Sequence, residues 1–434
     1  MTHSIEGQPT DAAVDGGPGG GSPEAPEPID AERWPDVARV PRSRVRARVA
    51  AALLTRVARR SGLGVRLPQD PPPDPGLPVL RLNRPEAFHR RVGTGGLIGF
   101  GEAYQAGDWD AEDLAGVLTV LARSPQTLVP PGLQWLRRFY VAAQPVAERN
   151  TPDGARRNIQ RHYDLSNDLF ALFLDPSMTY SSAVFEEDGG VPVARWELLE
   201  AAQHRKIDRL LDLAGVGEGT RVLEIGSGWG ELALRAARRG ATVVTLTLSA
   251  EQRELTRAKL ARAGVADRVE VRLQDYRAVG GEYDAVLSVE MIEAVGERYW
   301  PAYFGTIDRV LAPGGRAALQ AITMAHDRLL ATRHTYTWMH KYVFPGGLIP
   351  SVAAVEQVTA AHTRLRVLRR DGFGPHYAET LRLWRERFDA RRAEVAALGF
   401  DGVFRRMWEL YLAYSEAGFR TGYLDVQQLL LARA

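Results

Sequence analysis

The chain has 434 residues, of which 45% are hydrophobic and 25% charged, a composition typical of an ordinary globular protein with two or three domains. It has no cysteine, which excludes disulfides, thiolate nucleophiles and cysteine-ligated zinc. No apolar run approaches the roughly 20 residues of a membrane span, and the N-terminus lacks a secretory signal pattern. We therefore expect a cytoplasmic protein whose contact with a membrane, if any, is peripheral, at the inner face of the cell membrane.

The formal net charge of +2 conceals a gradient along the chain. Residues 1–33 are rich in Gly, Pro, Asp and Glu, which predicts a disordered tail. Residues 34–62 then carry eight arginines against the single acid Asp36, around an apolar run at 49–57. This pattern predicts a basic amphipathic helix that could contact an anionic phospholipid surface. A surface helix packed on its own domain explains the pattern equally well, and the scarcity of aromatics argues against nucleic acid as a partner.

Proline and glycine positions divide the rest of the chain. Residues 34–130 are predicted to form a small N-terminal domain, which closes with a helix from Leu114 to Leu121. Residues 131–155 are predicted to be a linker. The remainder, 156–434, is long enough for a catalytic domain.

The centre of that domain is the segment 220–230, where a short apolar run ends in glycines and a helical pattern starts at Glu231. Its Gly-x-Gly-x-Gly spacing differs from the Gly-x-Gly-x-x-Gly of dinucleotide-binding folds, and no acid follows the second strand, which argues against NAD. Such a turn lets the backbone approach a bound ligand. Close packing of helix on strand would also explain the glycines.

Segments with the sequence patterns of helices and of strands alternate on both sides of this turn. A helix is predicted over 196–214, stopping at Gly215. The predicted strands lie at about 220–225, 242–248, 268–273, 283–289 and 315–322. Alternation of strands and helices predicts an α/β fold with a doubly wound, Rossmann-like, largely parallel sheet that binds ligands at the carboxyl ends of its strands.

Several ordered motifs carry a family resemblance that extends from about residue 77 to the end of the chain. They resemble motifs of the cyclopropane-fatty-acyl-phospholipid synthases and mycolic acid cyclopropane synthases, which are class I S-adenosylmethionine-dependent methyltransferases. The resemblance implies S-adenosylmethionine as the cofactor. The motifs are Arg161-His-Tyr-Asp, Leu174-Asp-Pro-Ser-Met-Thr-Tyr-Ser181, Glu224-Ile-Gly-Ser-Gly-Trp-Gly230, Leu248-Ser-Ala-Glu-Gln252, Phe344-Pro-Gly-Gly347, Arg406-Met-Trp and Phe419-Arg420.

The predicted cofactor site combines the glycine turn with residues that follow the neighbouring strands. Ser249 and Gln252 also form a capping-box pattern, so Gln252 has an alternative role at a helix start. By resemblance, Tyr180 and Ser181 close over the methionine part. The cofactor-binding residues are predicted to be Tyr180, Ser181, Glu224, Gly226, Gly228, Gly230, Thr247, Leu248, Gln252, Asp275 and Tyr276.

The resemblance also implies the chemistry. In the family, the π electrons of an unsaturated acyl chain attack the sulfonium methyl group, and a bound bicarbonate or carbonate ion takes a proton from the resulting carbocation. His162 and Tyr163 match a family motif that is expected to line the acyl site. The family's pocket for the bicarbonate or carbonate ion is formed by a Cys, a Glu, a His, an Ile and a Tyr. The matching positions of the pocket here are Ser182, Glu293, Gln320, Ile322 and Tyr377.

Two of these positions depart from the family, as do Glu290 and Ala294. The pattern of Ser182, Glu290 and Ala294 resembles the actinobacterial fatty-acid methyltransferases that make 10-methylene acyl chains, the precursors of 10-methyl (tuberculostearic-type) lipids. We therefore expect C-methylation of the double bond of unsaturated acyl chains in membrane phospholipids, with a 10-methylene product. A reductase partner and a homodimer are further expectations, and no metal site is expected because the histidines lack ligand spacing.

Three alternatives stay open from the sequence alone. The first is a cyclopropane-fatty-acyl-phospholipid synthase, which would use the same chemistry and close a ring. The second is a methyltransferase of a small O or N nucleophile, against which the N-terminal domain and its basic segment argue. The third is a catalytically silent lipid-binding scaffold, which the changes at Ser182 and Gln320 keep open.

Overall fold

The structure is a computed structural model and describes residues 28–71, 76–123 and 166–434. The predicted linker at 131–155, the pair His162 and Tyr163, and residues 1–27 of the predicted tail lie outside the described residues. Residues 28–33 are described and precede a well-packed tryptophan. The indole of Trp34 donates to the Asp401 carboxylate at 2.8 Å, and Arg33 pairs with the same carboxylate at 3.3 Å. The predicted disorder therefore does not extend to the end of residues 1–33.

Over residues 28–71 and 76–123, the N-terminal part contains four helices and a three-stranded sheet in the order β1-β2-β3. Helix α2 is the predicted basic helix, and it ends at Gly62 in a left-handed conformation. It crosses α3 at Gly93, where an added Cβ would lie 2.3 Å from the Arg46 carbonyl oxygen, so the crossing requires glycine. The elements are α1 Pro35–Ala38, α2 Arg44–Ser61, β1 Gly64–Arg66, β2 Val79–Leu82, α3 Pro85–Gln105, β3 Trp109–Asp110 and α4 Leu114–Arg123.

The central sheet has seven strands in the order β11-β12-β10-β9-β6-β7-β8. Strands β10, β9, β6, β7 and β8 are parallel, and the antiparallel strands β12 and β11 extend one edge. The predicted α/β, doubly wound, Rossmann-like fold is therefore confirmed. The strands are β6 Arg221–Ile225, β7 Thr242–Thr247, β8 Val269–Leu273, β9 Tyr283–Val289, β10 Leu311–Met324, β11 Leu365–Gly372 and β12 Leu424–Arg433, with a separate hairpin of β4 Glu187–Asp188 and β5 Val191–Pro192.

Helices cover both faces of this sheet, and short 3-10 turns precede some of the strands. Helix α6 matches its prediction to the residue and ends at Gly215 with φ 72°. The α-helices are α5 Asn167–Phe173, α6 Trp196–Ala214, α7 Glu231–Arg238, α8 Ala250–Arg262, α9 Ile292–Val295, α10 Trp300–Val310, α11 His326–Thr332, α12 Trp338–Tyr342, α13 Val352–His362, α14 Gly374–Ala390, α15 Arg392–Ala397 and α16 Gly402–Arg420.

The N-terminal part shares one hydrophobic core with the catalytic part. Trp109 of β3 and Trp408 of α16 belong to the same buried cluster. Arg406 of α16 fixes the junction, because its guanidinium donates to the Trp109 carbonyl oxygen at 2.9 Å and to the Tyr104 carbonyl oxygen at 2.6 Å. Residues 34–130, predicted to be a domain, are therefore packed as one body with the catalytic part in the ranges that the structure describes.

No helix among the described residues is long and apolar enough to cross a bilayer.

Candidate active site

A cavity opens at the carboxyl ends of β6, β7 and β9, where the sequence predicted the cofactor. The glycine turn after β6 forms one wall. Gly226 has φ 94°, and a Cβ there would lie 2.7 Å from the Met291 sulfur, whereas no described atom lies within 4 Å of a Cβ built on Gly228. Glycine is therefore required at 226 for conformation and packing, and at 228 the backbone faces open space where a ligand could approach.

The structure brings most of the predicted cofactor residues to this cavity. Tyr180, Ser181, Glu224, Gly226, Gly228, Thr247, Leu248, Gln252 and Tyr276 line it. Gly230 and Asp275 are outside the lining formed by the described residues. A Cβ on Gly230 would lie 2.6 Å from Thr256, so this glycine serves helix packing. The Asp275 carboxylate is instead paired with the Arg277 guanidinium at 2.5 Å.

One of the two hydrogen bonds of the predicted capping box is present. The Ser249 hydroxyl accepts from the Gln252 backbone N–H at 3.2 Å, as a helix N-cap does. The reciprocal contact is replaced, because the Gln252 side-chain oxygen accepts from the Thr247 hydroxyl at 2.9 Å. This bond holds the Gln252 amide on the cavity wall, at the end of β7.

Glu224 and Lys206 place two buried ionisable groups beside the glycine turn. The Glu224 carboxylate accepts from the Thr245 hydroxyl at 2.5 Å, and burial raises its pKa to about 8. The Lys206 ammonium donates to the Ser181 hydroxyl at 2.6 Å, and burial lowers its pKa to about 8. Sequence analysis missed Lys206, although its place on the apolar stripe of α6, beside Ile207, was an available signal.

Glu290 also lines the cavity, immediately after β9. It is a non-glycine residue with positive φ, 52°. One carboxylate oxygen accepts from the Ser182 backbone N–H at 3.0 Å and from the Gln320 amide at 2.9 Å, and the other accepts from the Tyr377 hydroxyl at 2.7 Å. Desolvation raises the pKa of this carboxyl, while these hydrogen bonds and Lys206 oppose the shift.

The predicted pocket residues Ser182, Gln320 and Tyr377 therefore converge, but on a carboxylate of the chain itself. Glu293 and Ile322 form a second contact nearby, in which the Ile322 N–H donates to one Glu293 oxygen. The other Glu293 oxygen is buried and has no partner among the described residues. Burial, and then the proximity of Glu290, raise the pKa of Glu293 to about 8.

The expected bicarbonate does not fit this arrangement. The donors that would hold the ion already bind the Glu290 carboxylate. An added anion beside Glu290 would also place two like charges in a buried site, which is strongly unfavourable.

Aromatic rings line the region beside Tyr180. Its ring stacks on Trp384 with centroids 5.3 Å apart, and its hydroxyl hydrogen-bonds the Tyr411 hydroxyl at 2.7 Å. Phe170 and Phe173 of α5 are fully buried behind it, as apolar filling. Ring faces stabilise positive charge, and a wall of this kind also excludes water.

The sequence predicted no metal site because the histidines lack the spacing of metal ligands. His340 and His376 are engaged in hydrogen bonds, to the Thr337 N–H and the Phe185 N–H respectively. Over residues 28–71, 76–123 and 166–434 there is no group of three or more His, Cys, Asp or Glu side chains arranged to hold a metal ion.

Comparisons with known proteins identify relatives of this chain. The chain is 56% identical over 412 residues to tuberculostearic acid methyltransferase UfaA1 of Mycobacterium tuberculosis, covering 93% of this chain and 96% of that one. It is 32% identical to the cyclopropane-fatty-acyl-phospholipid synthase of Escherichia coli, covering 82% of this chain and 87% of the relative.

Two solved structures share the fold over the catalytic part. The cyclopropane synthase MmaA2 from Mycobacterium tuberculosis aligns with a TM-score of 0.58 at 33% identity, covering 64% of this chain and 98% of that chain. The mycolic acid cyclopropane synthase CmaA1, complexed with SAH and CTAB, aligns with a TM-score of 0.57 at 32% identity, covering 64% and 97%. The model of the family described as mycolic acid cyclopropane synthetase matches residues 150–429. The chain therefore belongs to the mycolic acid cyclopropane synthetase family of S-adenosylmethionine-dependent methyltransferases.

Proposed function

We propose that this protein methylates the double bond of unsaturated acyl chains in membrane phospholipids and forms 10-methylene chains. The observation that carries the proposal is the wall of the cofactor cavity, which contains both the Glu290 carboxylate and Tyr180, whose ring stacks on Trp384. An alkene is a weak, apolar nucleophile that needs alignment and a dry site, and its product cation needs a base. Similarity to a tuberculostearic acid methyltransferase supports the same product class.

The residues of the cavity would hold S-adenosylmethionine against the glycine turn, with Gln252 and Tyr276 on the side of β7 and β8. When bound there, it supplies an electrophilic methyl group, to which the alkene π electrons form a C–C bond while the S–CH3 electron pair stays on sulfur. The positive charge is then on the neighbouring chain carbon, and the ring of Tyr180 stabilises it.

The stage at which the methyl proton is lost decides which product forms. If the hydrogen on the methyl-bearing carbon shifts with its electron pair to the cationic carbon, the charge moves to the methyl-bearing carbon. Loss of a methyl proton then leaves its electron pair as a C=CH2 bond that branches from the chain. If a methyl proton is lost before this shift, the same electron pair closes a cyclopropane. The position and basicity of the proton acceptor therefore separate the two products.

A phospholipid surface is the proposed source of the substrate. On α2, Val45 is 73% exposed and Val49 is 56% exposed, and Arg44, Arg46 and Arg48 beside them are also exposed. Apolar side chains surrounded by arginines suit the boundary between headgroups and acyl chains of an anionic bilayer. Because a methylene product retains a double bond, a separate reductase would be needed to give a saturated 10-methyl chain.

The test is to incubate purified protein with S-adenosylmethionine and dioleoyl phospholipid vesicles and to identify the fatty acids by mass spectrometry. A 10-methylene chain is the expected product. A cyclopropane chain would retain acyl methylation but replace the proposed product. An unmodified acyl chain, with S-adenosylhomocysteine still bound by the protein, would contradict the proposal and favour the small-nucleophile or silent-scaffold alternatives.

A further inference from the structure

We propose that the Glu290 carboxylate is the base that removes the proton from the methylated acyl cation, in place of an exogenous bicarbonate ion. The inference rests on the proposed acyl methylation. It begins from the observation that a carboxylate of this chain accepts hydrogen bonds from Ser182, Gln320 and Tyr377, the residues expected to hold the ion. The same residue also lines the cofactor cavity.

The backbone of Glu290 is held in a conformation that a side chain rarely adopts. Within the described residues, Glu290 and Met178 are the non-glycine residues with positive φ. Such strain persists only where the surrounding structure imposes it, and it concentrates at functional sites. Here the Glu290 N–H donates to the Gln320 carbonyl oxygen at 2.7 Å, which fixes the start of the side chain against β10.

The donors come from separate elements and are themselves oriented. Ser182 lies before the β4–β5 hairpin, Gln320 on β10 and Tyr377 on α14. The Gln428 amide donates to the Gln320 side-chain oxygen at 3.2 Å, which turns the Gln320 NH2 group toward Glu290. Donors directed at both oxygens stabilise the ionised form against the desolvation of a buried site. They hold the carboxylate in a fixed position beside the cofactor cavity, where a general base must lie.

Neighbouring charges favour Glu290 over Glu293 for this role. Lys206 is the cation that acts on Glu290, whereas Glu293 has the carboxylate of Glu290 as its charged neighbour. With a pKa of about 8, Glu293 is mostly protonated at neutral pH. A neutral Glu293 places no second negative charge beside Glu290 and so does not oppose the ionisation of that carboxyl.

The proton step is balanced without another reactant. A C–H bond of the transferred methyl group breaks, its electron pair forms the C=CH2 bond, and the proton moves to a Glu290 oxygen. Glu290 becomes a neutral carboxylic acid, and the acyl chain becomes uncharged. When the product leaves, the proton passes to water entering the cavity, which restores the carboxylate.

The test compares Glu290→Gln and Glu290→Gly with the parent protein in CO2-free buffer, with and without added bicarbonate. Glycine suits the left-handed conformation and vacates the anion position. Glu254→Gln, an exposed change on α8, is the matched control. We expect the parent and control rates to be independent of bicarbonate. Both Glu290 variants should lose about 100-fold or more of the methylation rate, and bicarbonate should restore only Glu290→Gly, by about 10-fold or more.

A binding measurement separates this inference from the proposed function. Titration of 13C-bicarbonate, followed by NMR, should detect binding to Glu290→Gly and its loss in Glu290→Gly/Tyr377→Phe, with no such site in the parent protein. Affinity for S-adenosylhomocysteine, measured by calorimetry, checks that each variant is folded. If the parent protein methylates no acyl chain, the proposed function fails, and the bicarbonate titration still decides the occupant of the pocket.

Two results would overturn the inference. One is a parent protein that binds 13C-bicarbonate at this site or loses its activity in CO2-free buffer. The other is Glu290→Gln with the rate of the parent protein. Either result would return the role of base to an exogenous ion.

Discussion

The Tyr377 hydroxyl donates a hydrogen bond of 2.7 Å to the Glu290 carboxylate and thereby connects α14 to the turn after β9. Tyr377 is buried, whereas Glu290 is half-buried on the cavity wall, and the bond links two parts of the chain that are 87 residues apart. It holds one carboxylate oxygen, while Ser182 and Gln320 hold the other. The position of this carboxylate relative to the cofactor cavity therefore depends on the tertiary structure.

Removing this bond should change the pH dependence of the reaction. In Tyr377→Phe, Glu290 loses a donor that favours its ionised form, so its pKa should rise further, against the opposing influence of Lys206 and beside the carboxyl of Glu293. The ionised base would then require a higher pH. We expect the acidic limb of the kcat profile to move to higher pH and the rate at pH 7 to fall about 10-fold. An unchanged profile with a lower rate would indicate a purely structural role for the hydroxyl.

Glu293→Gln should flatten the pH dependence of stability. The folded pKa of Glu293 is raised to about 8 from 4.5, so between these values the folded protein binds more protons than the unfolded chain. Its contribution to stability is therefore complete below pH 4.5 and is lost as pH rises through 8. Glutamine keeps an acceptor for the Ile322 N–H and does not titrate.

Urea unfolding at pH 5, 6, 7 and 8 measures this effect. The free energy of unfolding of the parent protein should fall across this range more steeply than that of Glu293→Gln. The remaining slope in the variant is expected because Glu224 also has its pKa raised to about 8. Equal slopes in the two proteins would show that Glu293 is ionised in the folded state at neutral pH.

Gly226→Ala should weaken cofactor binding more than it weakens the fold. The residue has φ 94°, and its new Cβ would lie 2.7 Å from the Met291 sulfur, at the cavity wall. The left-handed conformation alone costs on the order of 1–3 kcal/mol, and displacement of Met291 would disturb the cavity. Gly264→Ala is a matched control, because this glycine also has positive φ, 70°, and no described atom lies within 4 Å of its Cβ position.

Calorimetric titration with S-adenosylhomocysteine and thermal unfolding of both variants test this prediction. Similar losses of stability are expected, since both glycines are left-handed, with loss of affinity only in Gly226→Ala. Equal affinities would mean that Met291 moves aside without affecting the site.

Charging the exposed apolar residues of α2 should reduce membrane binding. In Val45→Asp/Val49→Asp, two acids replace side chains expected to enter the headgroup boundary, next to arginines that attract anionic lipid at about 1 kcal/mol each. We expect at least a fivefold loss of binding to phosphatidylglycerol vesicles in co-sedimentation, with the S-adenosylhomocysteine affinity unchanged. Val191→Asp, at a residue of β5 that is 65% exposed, is the control. Equal binding by all three proteins would exclude this face of α2 from the membrane contact.

Local patterns in the sequence determined the regular elements of the catalytic part and the location of the cofactor cavity. The helix Trp196–Ala214, the strand Arg221–Ile225 and the glycine turn that follows were predictable because side-chain periodicity, left-handed glycines and caps act over a few residues. The family resemblance likewise identified Ser182, Gln320 and Tyr377, which surround Glu290, although Ser182 and Gln320 depart from the family's residue types.

Only the tertiary structure decided the edge strands β11 and β12, the common core of the N-terminal and catalytic parts, and the occupant of the anion pocket. Gly230 and Asp275 match the predicted motifs, yet a Cβ on Gly230 would collide with Thr256, and the Asp275 carboxylate pairs with Arg277. The donors to Glu290 lie 108, 30 and 87 residues away from it in sequence. Periodicity cannot reveal contacts over such distances, because the donors meet the carboxylate only when the sheet, its crossover helices and α14 pack together.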